Sequence, residues 1–130
     1  MLRKIVMTGA FTAPLAASPY AGEDRFSARY PLSAEDQQTV DDVVSVMGEG
    51  RREAIHMQIV WANCTKSAVD RFSAQAETAR AVAEAAMASC TVEETLYMVA
   101  SGIRFPESIR ETSLPELTAR VMSNRAALGR

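Results

Sequence analysis

Apolar positions after residue 33 repeat at steps of three and four, and this spacing predicts a first helix. Ser33 is a favourable N-cap residue, and Glu35 and Asp36 place negative charge in the first turn, where it stabilises the helix dipole. The apolar stripe consists of Val40, Val43, Val44 and Met47. The glycines at 48 and 50 then end a helix of about 15 residues.

A second helix is predicted from Arg52 to Phe72, because five apolar residues share one face of it. They are Met57, Trp61, Cys64, Ala68 and Phe72. A third helix is predicted to begin near Gln75 or Ala76, with a stripe of smaller residues. That stripe consists of Ala79, Ala83, Ala86 and Cys90. Small residues along one face permit a neighbouring helix to pack closely.

The segment after Cys90 has two possible structures. Thr91, with Glu94 three residues later, either forms a capping box that starts a new helix or lies within one helix that continues to Gly102. The sequence alone does not decide between them.

A terminal helix is predicted to begin at Ser113. This serine is an N-cap candidate, Pro115 lies early in the helix, and Glu116 follows at the third helical position. The apolar stripe of this helix is Leu117, Val121 and Leu128. The fold class predicted from these elements is all-α, a small bundle of about four helices.

If the second and third helices form an antiparallel hairpin that turns at residue 77, the two cysteines lie directly opposite each other on the two helices. Positions equidistant from the turn then face each other, which pairs Cys64 with Cys90 and Ala68 with Ala86. Because both alanines are small, the backbones can approach to the Cα separation of ~5.5 Å that a disulfide needs. We therefore predict that a Cys64–Cys90 disulfide joins the hairpin.

The same register makes two further pairings testable. It sets Met57 near Tyr97, a reasonable contact in a core, and Trp61 near Glu93, which is unfavourable for a buried indole. A helix that restarts at Thr91 would change the second pairing.

The N-terminus has the layout of a secretory signal peptide. Arg3 and Lys4 form a basic start, residues 5–15 are weakly apolar and uncharged, and small residues follow up to Ala17. We predict cleavage after Ala17, a flexible lead-in over residues 18–32 and a helical domain over residues 33–130. The predicted location is periplasmic or secreted; the alternative is a cytoplasmic helical interaction protein that keeps its leader.

Composition narrows the possible classes of protein. Apolar residues make up 48% and charged residues 23% of the 130 residues, which is typical of one globular domain. The net charge is −2, and it becomes −4 without residues 1–17, since 12 basic and 16 acidic residues then remain. Acidic chains are poor ligands for nucleic acid, and no apolar stretch reaches the roughly 18 residues of a transmembrane helix.

The chain offers few candidates for chemistry. His56 is the only histidine, and we expect it to be partly exposed on its helix. A metal- or redox-handling protein built on His56, Cys64 and Cys90 is an alternative, although a Cys-x-x-Cys motif is absent. Glu93 and Glu94 are expected to be a solvated or capping pair. No catalytic, cofactor-binding or metal residue is assigned.

The C-terminal segment is mildly basic on an acidic protein. Its arginines are Arg104, Arg110, Arg120, Arg125 and Arg130. One interpretation is that these arginines bind an acidic partner or lipid headgroups. We prefer a second one, in which they belong to a solvated helix and basic residues near its C-terminus stabilise the helix dipole.

The run Trp61-x-x-Cys64, followed by an alanine-rich helix with Ala86-x-x-x-Cys90, resembles small exported bacterial proteins of unknown function. The resemblance covers residues 57–95. It implies a cross-linked helical fold in the envelope and carries over no catalytic residue. We accordingly predict a non-enzymatic protein-binding or structural module of the bacterial envelope, with an unknown protein partner and no cofactor.

Overall fold

A computed structural model describes residues 26–129. The predicted signal peptide and residues 18–25 of the predicted lead-in lie outside the described residues. The chain divides into two units after Pro31. In the first unit, the Phe26 carbonyl accepts hydrogen bonds from the backbone N–H groups of Arg29 and Tyr30, at 3.2 and 2.8 Å, and closes a turn.

Helices are the only regular secondary structure among the described residues of the second unit, which confirms the all-α fold class. Its elements are α1 (Ala34–Met47), a 3₁₀ turn (Glu49–Arg51), α2 (Arg52–Phe72), α3 (Ala79–Ala88), α4 (Thr91–Ser101) and α5 (Pro106–Ala127). No helix among residues 26–129 combines the length and apolar character needed to cross a bilayer.

Local signals determine both ends of α1, as predicted. The Ser33 hydroxyl accepts a hydrogen bond from the Asp36 backbone N–H at 3.1 Å and so satisfies one of the open donors of the first turn. Gly48 ends the helix with φ of 102°, a conformation that favours glycine, while its N–H donates to the Val44 carbonyl. The predicted limits of α2 are also confirmed.

Helix α3 begins three to four residues later than predicted. Thr78 is its N-cap, and the Thr78 hydroxyl accepts a hydrogen bond from the Ala81 N–H at 3.1 Å. This cap favours a start at Ala79, so that Gln75 and Ala76 belong to the loop between α2 and α3.

The helix breaks at Cys90, which decides between the two structures left open by the sequence. Cys90 is the N-cap of α4 and its carbonyl accepts from the Glu94 N–H at 2.9 Å, so Thr91 does not form the capping box. Gly102 ends α4 in the left-handed conformation, with φ of 73°. Because the segment after Cys90 is a helix of its own, the bundle has five α-helices in the described residues where about four were predicted.

The predicted start of the terminal helix at Ser113 is wrong. Helix α5 begins at Pro106, where a proline is well tolerated because its missing N–H would have no partner in the first turn. Pro115 lies inside the helix. Ile109, Leu117 and Val121 form its buried stripe, whereas Leu128 is 61% exposed and does not belong to it.

Helix α2 lies at the centre of the bundle and packs against each of the other four helices, while α3 also packs against α5. The main core joins residues of α2, α3 and α5 with Cys90. Its fully buried members are Ala68, Val69, Val82, Ala83, Ala86, Cys90 and Val121. A smaller core between α1 and α2 contains Val40, Val44 and Ile55.

The predicted pairing of the two cysteines in the hairpin is confirmed. Cys64 and Cys90 form a disulfide with a Cα–Cα separation of 6.1 Å. Trp61 stacks at a tilt on Tyr97 of α4, with ring centroids 5.9 Å apart.

Candidate interaction surfaces

The disulfide lies between α2 and the junction of α3 with α4. Cys90 is buried and Cys64 is half-buried, so the bond is part of the main core. Disulfides persist in oxidising compartments, and the bond therefore favours a location outside the reducing cytosol.

His56 does not join the cysteines. It lies eight residues before Cys64 on α2, about 12 Å along the helix axis at 1.5 Å per residue. The expectation of a partly exposed histidine is wrong, since His56 is only 4% exposed.

One group of potential metal ligands exists among the described residues. The sulfur atoms of Cys64 and Cys90 and a carboxylate oxygen of Glu93 lie within 4.8 Å of one another. Both sulfurs are bonded to each other, and a disulfide offers no thiolate to a metal or to a redox substrate. Metal or redox chemistry at this place would first require reduction of the bond.

Glu94 is a buried partner of Arg110, not a solvated or capping residue. Its side chain accepts hydrogen bonds from Nε and Nη2 of Arg110 at 2.9 and 2.6 Å, a bidentate pair between α4 and α5. The hydrogen bond to Glu94 raises the pKa of Arg110 above its ordinary value. Glu94 is only 3% exposed, and Arg110 supplies hydrogen-bond donors to both of its side-chain oxygens.

The C-terminal arginines are largely engaged within the molecule. Arg120 donates two hydrogen bonds of 2.9 Å to the Asp70 carboxylate, and Arg125 donates to three carbonyls of the loop between α2 and α3. Together with Arg110, these residues join α5 to α2, α4 and the loop. Because the guanidinium groups already donate hydrogen bonds inside the molecule, they are less available to bind an acidic partner or lipid headgroups.

Two apolar depressions lie along the packed helices α3 and α5, one on either side of Leu114. We call this surface the α3–α5 face. The first, of about 270 Å³, is lined by Glu84, Met87, Ala88, Thr91, Arg110, Glu111 and Leu114. The second, of about 330 Å³, is lined by Arg80, Leu114, Pro115, Thr118, Ala119 and Met122. Met122 is 60% exposed, and charged side chains of both signs lie around the apolar ones.

A separate groove of about 450 Å³ lies over α2, between α1 and α4. We call it the α2 groove. Its residues are Thr39, Val43, Met47, Arg51, Ala54, Ile55, Gln58, Ile59, Ala62, Tyr97, Ser101 and Ile103. Eight of the twelve are apolar or aromatic. The volume falls within the range of roughly 300–1,000 Å³ that is usual for small-molecule sites.

The α2 groove has polar groups without partners. Ser101 Oγ is buried and has no hydrogen-bond partner; the other such side-chain atom among residues 26–129 is Nε1 of Trp61. The Arg51 guanidinium is exposed and makes no ion pair with another described residue. Burial raises the pKa of the Tyr97 phenol above its ordinary value, and the charge of Arg51 partly opposes this effect.

Sequence reasoning missed both surfaces. The α2 groove combines residues from α1, α2 and α4, and the position of Tyr97 depends on the break at Cys90. The α3–α5 face combines Leu114 and Met122 of α5 with residues of α3, and no local pattern in the sequence connects these two helices.

Comparison with protein-family models, curated proteins and solved structures gave no match to this chain.

Proposed function

We propose that the protein is an exported, non-enzymatic interaction module of the bacterial envelope, and that it binds another protein through the α3–α5 face. The observation that carries this proposal is the pair of apolar depressions that share Leu114.

The composition of this face supports a protein partner. Protein interfaces combine an apolar centre, in which methionine is enriched, with a polar rim. Here Leu114, Pro115 and Met122 supply the apolar centre. The rim contains the ion pair between Arg80 and Glu84, at 3.0 Å, so that charges of both signs can match a partner.

The cross-linked hairpin supports the location. A disulfide inside the core is stable where no cellular thiols reduce it, and the first 17 residues have the order of basic, apolar and small residues that directs export. The two observations concern different parts of the chain and favour the same compartment.

Site-specific photo-crosslinking in the host tests the proposed face. A photoreactive amino acid replaces Ala119, which lies on the face, or Glu35, which is exposed on α1. We expect a discrete crosslinked protein from position 119 and none from position 35.

Two matched substitutions connect the crosslink with the apolar surface. Met122→Glu places a charge in the face, whereas Val46→Glu places one at an apolar residue that is 85% exposed and outside it. We expect Met122→Glu to abolish the crosslink and Val46→Glu to preserve it. Equal crosslinking in both variants, or from both positions, contradicts the proposal.

A further inference from the structure

The α2 groove differs from the α3–α5 face in its distribution of charge. Among the described residues, Arg51, directly before α2, is the only charged one that lines it. Its guanidinium has no ionic partner among the described residues. The α3–α5 face, by contrast, has both signs around its apolar centre. A groove with one unpaired cation is complementary to one anionic group.

The polar groups lie at one end of the groove. Helix α4 starts beside Cys64 of α2, because the disulfide joins Cys64 to Cys90 directly before α4. The contact of Tyr97 with Trp61 shows that α4 runs back toward the start of α2. Its eleven residues extend about 16 Å, which brings Ser101 level with the first turn of α2. The unpartnered Ser101 hydroxyl and the Arg51 guanidinium therefore lie at the same end of the α2 groove.

The other end of the groove is mostly apolar. Ile59 and Ala62 on α2 lie along its floor, and Thr39 is the polar residue of the α1 wall at this end, where Asn63 of α2 donates a hydrogen bond to Asp36 of α1. From Ala54 to Ala62 the floor extends about 12 Å, at 1.5 Å per residue. An extended alkyl chain advances by roughly 1.3 Å per carbon, given C–C bonds of about 1.5 Å, so about ten carbons match this length.

The walls favour an aliphatic chain over an extended peptide. Eleven of the lining residues belong to helices or to the 3₁₀ turn, where the backbone polar groups are mostly used in intrahelical hydrogen bonds. An extended peptide would bury its own N–H and C=O groups there with few partners, which is costly, whereas an alkyl chain requires none.

We propose that the α2 groove binds a single-chain fatty acid of about ten carbons, with its carboxylate at Arg51 and Ser101 and its alkyl chain along Ile59 toward Ala62. This site is separate from the proposed protein-binding face and does not depend on it.

Titration calorimetry at neutral pH on the oxidised full-length gene product, purified from its host, tests the head-group contact. The probes are decanoate and decanamide, which have the same chain and differ in charge. We expect decanoate to bind about tenfold more tightly, because a charge-assisted hydrogen bond is stronger than a neutral one. Arg51→Gln removes this difference, while Arg80→Gln, a cation on the other face, preserves it.

A chain-length series tests the tail. Affinity is expected to rise from hexanoate to decanoate and to level off at tetradecanoate, since the groove ends near Ala62. Ala62→Leu fills that end and moves the optimum to a shorter chain. Trp61, the only tryptophan, stacks on Tyr97 and reports occupancy by its fluorescence.

Three results would overturn the proposal: no saturable binding of decanoate at millimolar concentration, equal affinity for the acid and the amide, or an affinity that keeps rising with chain length, as in nonspecific partitioning. Loss of the crosslink from position 119 with decanoate binding intact would refute the proposed protein partner and leave the fatty-acid site standing.

Discussion

Cys64 and Cys90 are 26 residues apart in the sequence, and their bond joins α2 to the junction of α3 and α4. Cys90 is also the N-cap of α4 and makes no side-chain capping hydrogen bond. The sulfur bridge therefore fixes the point at which the chain leaves one helix and begins the next.

The first prediction concerns this bond. Cys64→Ser is expected to lower the free energy of unfolding by about 3–4 kcal/mol, because the unfolded chain regains the freedom that the closed loop removes. Thermal melting in non-reducing buffer measures the effect. In reducing buffer, the parent and the variant are expected to melt at similar temperatures. An unchanged midpoint without reductant would show that the bond does not support the fold.

Single residues also show where the sequence was insufficient. The pairing of Cys64 with Cys90 follows from helical spacing, since both residues belong to one hairpin. The burial of Glu94 depends on Arg110, sixteen residues later on another helix, and no local pattern connects the two.

At the scale of elements, the crossing of α2 and α3 depends on small side chains. Ala68 and Ala86 are both fully buried in the main core. Closely packed interiors accommodate added methylenes poorly.

Ala86→Leu is therefore expected to overpack the hairpin and to lower the free energy of unfolding by about 1–3 kcal/mol. Ala85→Leu is the matched control, because Ala85 is exposed on the same helix and its replacement by another good helix former costs little. Urea denaturation of the three proteins measures both effects. A stable Ala86→Leu variant would refute the close crossing.

Helices α2 and α5 are joined by a charged contact. Arg120, and to a lesser extent Asn124, donate hydrogen bonds to Asp70 and hold the pKa of its carboxyl below the ordinary value of 3.8. Since the folded-state pKa is lower than that of the unfolded chain, ionised Asp70 stabilises the fold above that value. This contribution disappears as the pH falls through the folded-state pKa.

Asp70→Asn is accordingly expected to lower the free energy of unfolding at neutral pH by about 0.5–1 kcal/mol, a modest amount because the pair is exposed. The difference from the parent narrows as the pH falls below 3.8. Urea denaturation across this range measures it. A difference that is independent of pH would assign the effect to packing instead of charge.

The helices show which signals in the sequence are local. α1 has a capping residue at each end, and both α1 and α2 have an apolar stripe within their own residues, so that their limits were predictable. α5 begins at Pro106, before its strongest apolar spacing, and Ser113 has the features of a cap in its interior. Tertiary contacts through Ile109 and Arg110 support the earlier turns.

At the scale of the molecule, the two candidate surfaces lie on different groups of helices. The α3–α5 face has an apolar centre with charges of both signs. The α2 groove has one unpaired cation and a mostly apolar end. Neither was predictable from spacing, because each combines residues that are distant in the sequence.

The central claim is that the protein is exported and oxidised, and the most direct test is the intact mass of the chain isolated from its host, before and after reduction and alkylation. The account predicts a chain that begins at Ser18 and gains two alkyl groups only after reduction. A chain that retains Met1 and is alkylated at two cysteines without reduction would contradict it.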